Sequence, residues 1–223
     1  MTHKCTYLRS LLALALCALA LLIPGGVRAD GGGGGDNAAV AINTKDTQSV
    51  FRFAFKIRRV AGDVVDNRNT AFAYASCTDC RTTAIAVQIV LATNHPTTVT
   101  PFNNASAIND NCTRCSTFAS AHQIVRTTDG PVRFTAAGND AIAKIRHEIR
   151  SLEDTELAPE EVKARMSAFH RRLVTIVNTE LVQAGSGDAQ ADADEDASAD
   201  GHARSGEEGN ALSSKFDSDT GGP

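Results

Sequence analysis

Four of the six cysteines stand in two Cys-x-x-Cys pairs, Cys77 with Cys80 and Cys112 with Cys115. Cysteines at this spacing can close disulfides, hold a metal or exchange disulfides with another protein. On the chain-entropy estimate, bridges joining the two pairs close loops of roughly 35 residues and contribute up to about 3.8 kcal/mol each. Bridges inside each pair close four-residue loops for about 1.9 kcal/mol. Spacing alone does not choose the connectivity. A zinc ion is the second reading, because two such turns can offer four sulfurs tetrahedrally. Against it, the 31 residues between the pairs exceed the usual gap, and neither pair is followed by a closing glycine. Disulfide exchange is the third; it needs a low-pKa thiolate, commonly at a helix N-terminus, whereas the residues after both pairs look extended.

Other catalytic patterns are weaker. His147 and Glu148 begin "HEIRS", but a zinc peptidase needs a second histidine four residues after the first, and position 151 is Ser. No Gly-x-Ser-x-Gly, Gly-x-Gly-x-x-Gly or phosphate loop occurs. His122 and His170 read as ordinary packing or surface residues, and His95, before a proline, reads as a turn residue. The reading leans against an enzyme and assigns no catalytic residue and no cofactor, zinc being the one alternative.

The elements that must carry the cysteines follow from periodicity. In "SVFRFAFKIRRV", Phe51, Phe53, Phe55 and Ile57 alternate with Arg52, Ala54, Lys56 and Arg58, which predicts a half-buried strand. A turn-rich connection leads to a strand over 71–77. Residues 82–93 are rich in β-branched side chains, which favours a strand over a helix. Beyond an Asp-Gly-Pro turn the period changes. Ile142, Ile145, Ile149 and Leu152, then Val162, Met166, Phe169, Leu173, Ile176 and Val177, predict amphipathic helices near 136–154 and 159–182, with Pro159 at a first helical position. Their short link predicts an antiparallel hairpin packed on the sheet.

The cysteine segment is also written twice. With a shift of 35, residues 69–93 align with 104–128: Asn69 meets Asn104, Cys77 meets Cys112, Cys80 meets Cys115, and Thr82, Ala84, Ala86, Gln88 and Val90 meet Thr117, Ala119, Ala121, Gln123 and Val125. On strands these matched residues share one face. The expectation is a pseudo-symmetric pair of strand units whose cysteine turns lie close together.

The ends define the compartment. Residues 1–29 combine His3, Lys4 and Arg9 with an apolar run and a Val-Arg-Ala site, which predicts a signal peptide cleaved after Ala29 and a secreted chain. An uncleaved signal would instead tether the protein to the cell surface. After cleavage no stable membrane span is expected, and an even number of cysteines in an exported chain favours disulfides. A Gly-rich flexible lead covers 30–39 and one α+β domain covers 40–184. Residues 185–223, with ten acids against two bases, are expected to be a disordered, solvating tail. Between the lead and the tail, bases and acids nearly balance, so there is no basic field to hold nucleic acid.

The stretches "VAINTKD" (40–46), "SVFRFAFKIRRVAGDVVD" (49–66), "YASCTDCRTTAIAVQIVL" (74–91), "GPVRFTAAG" (130–138) and "TELV" (179–182) resemble an extracytoplasmic domain of bacterial proteins described as peptide zinc metalloproteases. In those longer proteins a membrane-embedded part carries the peptidase-like features, and here a signal peptide stands in its place. The resemblance therefore implies a free-standing accessory domain and no peptidase activity. The family's cysteines map onto Cys77, Cys80, Cys112 and Cys115. The partner is unidentified, a cell-envelope protein being the candidate. Asn104 and Asn111 match glycosylation acceptors, which matter only in a host with that machinery; the resemblance points to bacteria.

The sequence thus predicts an α+β fold. It comprises a small sheet of three to five strands containing the duplicated Cys-x-x-Cys unit, with a C-terminal antiparallel helical hairpin. The function it suggests is that of a secreted, non-catalytic binding or structural domain.

Overall fold

The computed structural model describes residues 35–185, together with the backbone of three short strands further on. The domain is mixed, with parallel sheets and two helices. Its first half winds three times through the same path. β1 (Asn37–Asn43), β4 (Arg68–Ala75) and β7 (Phe102–Asn109) form one parallel sheet. β2 (Ser49–Ala61), β5 (Arg81–Thr93) and β8 (Ser116–Thr128) form a second, longer one. A two-residue ribbon of β3 (Val64–Val65) and β6 (Thr98–Val99) makes a third side. Each turn of the chain therefore lies one strand spacing, about 4.8 Å, above the last. This is a short parallel coil.

The duplication expected from the sequence is correct in its second half, where β5 pairs with β8 residue for residue at the shift of 35, from Arg81 opposite Ser116 to Thr93 opposite Thr128. Two features differ. The unit occurs three times, because β1 and β2 are an earlier copy: Asn37 pairs with Asn69, and Ser49 with Arg81. The partner of Asn69 is Asn103, not Asn104, because the coil between these strands is one residue shorter than the shift of 35 implies. One small sheet of three to five strands was too little. β1 also begins at Asn37, inside the stretch read as a flexible lead.

The inside of the coil is narrow. Ala39, Ala41, Ala71, Ala73 and Ala105 from the first sheet meet Ala54, Ala84, Ala86, Ala119 and Ala121 from the second. Above them the asparagines form a ladder in which the Asn37 amide Nδ2 donates to Asn69 Oδ1 (2.8 Å) and Asn69 Nδ2 donates to Asn103 Oδ1 (2.9 Å). Asn69 Nδ2 also donates to the carbonyls of Ala86 and His122, and Asn103 Nδ2 to that of Ala121. Gln88 and Gln123 make a parallel rung, with Nε2 of Gln123 donating to Oε1 of Gln88 at 2.7 Å. Apart from Asn37 Oδ1, which has no hydrogen-bond partner among the described residues, these buried amides follow the rule that polar groups in a core are paired.

The outer face of the long sheet carries the large residues. Phe51, Phe53, Phe55, Ile57, Ile85, Val87, Ile89, Leu91, Phe118 and Ile124 pack against the helices α1 (Ala136–Arg150) and α2 (Pro159–Thr179). The alternation in β2 is as expected, and β5 is covered on both faces. Thr135 caps α1, its Oγ1 accepting from Gly138 N at 3.0 Å. Pro159 opens α2 with Glu160 and Glu161 behind it, which suits the positive end of the helix. A 3-10 turn, Ser151–Asp154, follows α1 and buries Leu152. β9 (Val132–Phe134) and β10 (Leu181–Gln183), flanking the helices, pair antiparallel.

The coil leaves one open strand edge at β2 and another at β8, each with backbone groups that need partners. β11 (Asp194–Glu195) pairs with β2, and β12 (Ala211–Lys215) and β13 (Asp219–Gly221) pair with β8. The expected signal peptide, and the rest of the tail expected to be disordered, lie outside the described residues. No described helix is long and apolar enough to cross a membrane.

The ladder gives a direct check of register. Asn69→Ala removes an amide that makes four buried hydrogen bonds, and loss of a buried hydrogen-bond partner costs about 1–3 kcal/mol. Urea unfolding is expected to show a loss of about 3 kcal/mol or more, whereas Asn104→Ala, outside the ladder, stays within about 0.5 kcal/mol. Equal losses at both positions would contradict the register.

Candidate functional site

The cysteines lie where the coil turns from the first sheet into the second. This turn recurs on every level at equivalent positions, and its third residue has a positive φ each time: Thr47 (59°), Asp79 (54°) and Arg114 (53°). A β-branched residue such as Thr47 is strained in this region, so the surrounding contacts must hold it there. Backbone hydrogen bonds stack the turns, from Thr47 N to Thr78 O and from Asp79 N to Thr113 O, both 2.9 Å. Asp46 Oδ1 accepts from Thr78 N at 2.7 Å. One level on, the Asp79 carboxylate and the Arg114 guanidinium form a two-pronged ion pair. That pairing holds the Asp79 carboxyl below its ordinary range. Charge and backbone thus keep successive turns in register.

What differs between levels is how the turn is closed. In the first copy Lys45 and Gln48 occupy the places that cysteines hold in the other two. There the Asn43 amide bridges the turn, its Nδ2 donating to Gln48 O at 2.8 Å and its Oδ1 accepting from Lys45 N at 3.2 Å. In the second and third copies the turns are closed by sulfur. Cys77 and Cys80 are at disulfide distance with Cα atoms 6.1 Å apart, and so are Cys112 and Cys115 at 5.7 Å. The pairing is within each Cys-x-x-Cys, the connectivity that chain entropy favours less; both spans fit a disulfide.

The two bridges also touch. Cys80 Sγ lies 3.5 Å from Cys115 Sγ, and all four sulfurs fall within 4.8 Å of one another. Cys77, Cys80 and Cys115 are buried with Ala75, and Cys112 is partly exposed. The expected proximity of the two cysteine turns is met by direct stacking, which the 35-residue length of a coil enforces.

The histidines that looked isolated in the sequence are partly brought together. His122, on the outer face of β8, lies beneath α2 with its ring 5.2 Å from that of His170. Ser120 Oγ is 2.8 Å from His122 Nε2. A serine beside a histidine invites a nucleophile reading, but His122 is only 1% exposed, and burial, reinforced by the neighbouring His170, lowers its pKa to about 3. A general base works best with a pKa near the ambient pH. The group is a packed part of the sheet–helix seam. His147 is exposed, Glu148 pairs with Arg172 at 2.6 Å and so ties α1 to α2, and His95 sits in a turn 3.0 Å from Asp129. The sequence hid the His122–His170 meeting because the two residues belong to different elements and share no spacing.

Peptide mapping of the unreduced protein is expected to recover bridges Cys77–Cys80 and Cys112–Cys115, and any major cross-copy bridge would contradict the pairing. Replacing one pair, as Cys112→Ser with Cys115→Ser, is expected to lower unfolding free energy by about 2 kcal/mol. The buried His122 gives a pH signature. Its folded pKa is depressed, so the unfolded chain takes up a proton that the folded chain does not as pH falls from about 6.5 towards 3. The stability of the wild type is expected to drop by up to about 1.4 kcal/mol per pH unit in that window. His122→Leu removes this contribution, so the two unfolding curves should converge on acidification; parallel pH slopes would refute it.

No family model matches this chain, and no curated protein or solved structure matches it either.

Proposed function

We propose that this protein is an exported accessory domain that binds another protein of the cell exterior through the open face of its first sheet. The carrying observation is that face. Opposite the alanine core, the register aligns Ile42, Tyr74 and Ile108 in one column and Val40, Phe72 and Ser106 in the next. Val40 is 49% exposed, Ile42 52% and Ile108 41%, and no described helix covers them. Apolar side chains in adjacent columns on a flat sheet are a usual mark of a protein contact.

In this reading the disulfide-closed turns and the helices, closing as an antiparallel hairpin, stiffen the coil that presents the face. Removal of residues 1–29 on export would place the chain where such bridges persist. The likeness to accessory domains of larger envelope proteins supports an envelope partner and no peptidase chemistry.

A second reading, thiol–disulfide exchange, draws on the partial exposure of Cys112, the most accessible of the four turn cysteines to a substrate thiol. It makes Cys115→Ala a trap for mixed disulfides on Cys112.

The test is site-specific photo-crosslinking in the producing cells, with the reactive group at position 72 or 40 and a control at the exposed Lys144. An adduct from the sheet positions that disappears in Ile42→Lys, with the fold intact by circular dichroism, is expected. Adducts equal at Lys144, adducts unaffected by Ile42→Lys, or turnover of a peptide or disulfide substrate by the purified domain would overturn the reading.

A further inference from the structure

We infer that the four turn cysteines form a redox-gated metal site: a pair of disulfides when oxidised, and a tetrahedral four-thiolate site for zinc when reduced. The inference goes beyond the binding reading and concerns the opposite end of the strands from the ladder.

The geometry is the argument. A zinc ion with metal–sulfur bonds of about 2.3 Å needs four sulfurs roughly 3.8 Å from one another. Here the four Sγ atoms lie within 4.8 Å, and the cross-level pair Cys80 and Cys115 is already at 3.5 Å. Once the bridges open, the sulfurs within each turn need to separate by only about 2 Å to reach that tetrahedron. Neither strand has to move, because each Cys-x-x-Cys turn sits at the head of a strand fixed by the ladder of β5 on β8.

The sequence objection also disappears. Thirty-one residues between the pairs is an unusual gap for a zinc site in which both turns belong to one small loop. In this fold it is the length of one circuit of the coil, and a circuit returns the chain to its starting point one strand spacing away. Thr78 pairs with Thr113 in the centre of the two turns, so the pairs are superimposed. The first copy, with Lys45 and Gln48 at the equivalent positions, brings no further sulfur, which limits the site to one ion.

The two states exclude each other because each bridge consumes two of the four donors. For each bridge, a dithiol supplies two electrons and two protons. The S–S bond breaks, two S–H groups form, and the dithiol closes to its own disulfide. Zinc then displaces four protons to solvent as four zinc–sulfur bonds form. Entry of the reductant is at the Cys112–Cys115 bridge, since Cys112 is the partly exposed member and the others are buried.

The experiment uses the chain as secreted, without Cys5 and Cys17 of residues 1–29. Protein reduced with a phosphine and desalted without oxygen is titrated with Co²⁺, followed by Zn²⁺, while far-ultraviolet circular dichroism reports the fold. The expected result is the thiolate-to-cobalt and tetrahedral d–d absorption at one metal per chain, displaced by zinc, with native-like dichroism. The oxidised protein is expected to give no such absorption, and Cys112→Ser with Cys115→Ser at least tenfold weaker binding. The inference is overturned by absence of the absorption, by its appearance only on an unfolded chain, or by equal binding to the oxidised protein or to the double variant. A reduced chain that unfolds and is not refolded by zinc overturns it as well. Because the readout is metal uptake, its failure leaves the sheet-face reading standing, and failure of cross-linking leaves the metal site standing.

Discussion

Everything in this domain depends on like meeting like across one strand spacing. A chain that returns to the same place at intervals of about 4.8 Å puts each inward side chain directly above its counterpart. Alanine meets alanine in the narrow part of the coil, asparagine meets asparagine, and glutamine meets glutamine. An amide can stand in such a column because it carries a donor on one side and an acceptor on the other, so each satisfies its neighbour. A carboxylate could not, since its copies would repel. Small apolar and amide residues thus let the narrow part of the coil close with its stacked side chains in contact.

The same strands have to serve a second environment. Alternate residues of the long sheet point away from the alanine core, and in β2 these are phenylalanines and an isoleucine. Nothing in the coil covers them, which is why two amphipathic helices follow it in the chain. Their packing seals His122 and His170 into the seam and anchors the last turn of the coil through Thr135 and Glu180, whose backbones are joined at 2.9 Å. Among the described residues no helix covers the first sheet, whose outer face exposes Val40, Ile42 and Ile108.

Much of this could be read from residues. The phenylalanine alternation, both helices and the second cysteine copy were evident because large apolar side chains and cysteines are distinctive. The earliest copy was missed for the converse reason: Asn37, Ala39 and Ala41 are common residues, and Lys45 and Gln48 replace the cysteines that would have marked it. The asparagine register was off by one because a change in coil length alters nothing in the composition of either strand. The closing of each turn on itself was not legible either. Loop entropy describes the unfolded chain, whereas the native turn holds its own two cysteines at disulfide distance, with Cα atoms 6.1 and 5.7 Å apart.

The asparagine ladder runs in one direction, each Nδ2 towards the following copy, and it begins with an Asn37 Oδ1 that has no partner. At the third copy Asn103 Nδ2 donates to the backbone carbonyl of Ala121. The ladder therefore has a direction along the coil, with the amide donors facing the copy that follows. Change in such a structure comes in whole circuits. A lineage could lengthen or shorten it by some 32 to 35 residues at a stroke, keeping every contact between neighbours, while gain or loss of a single residue within a strand would turn its core outward.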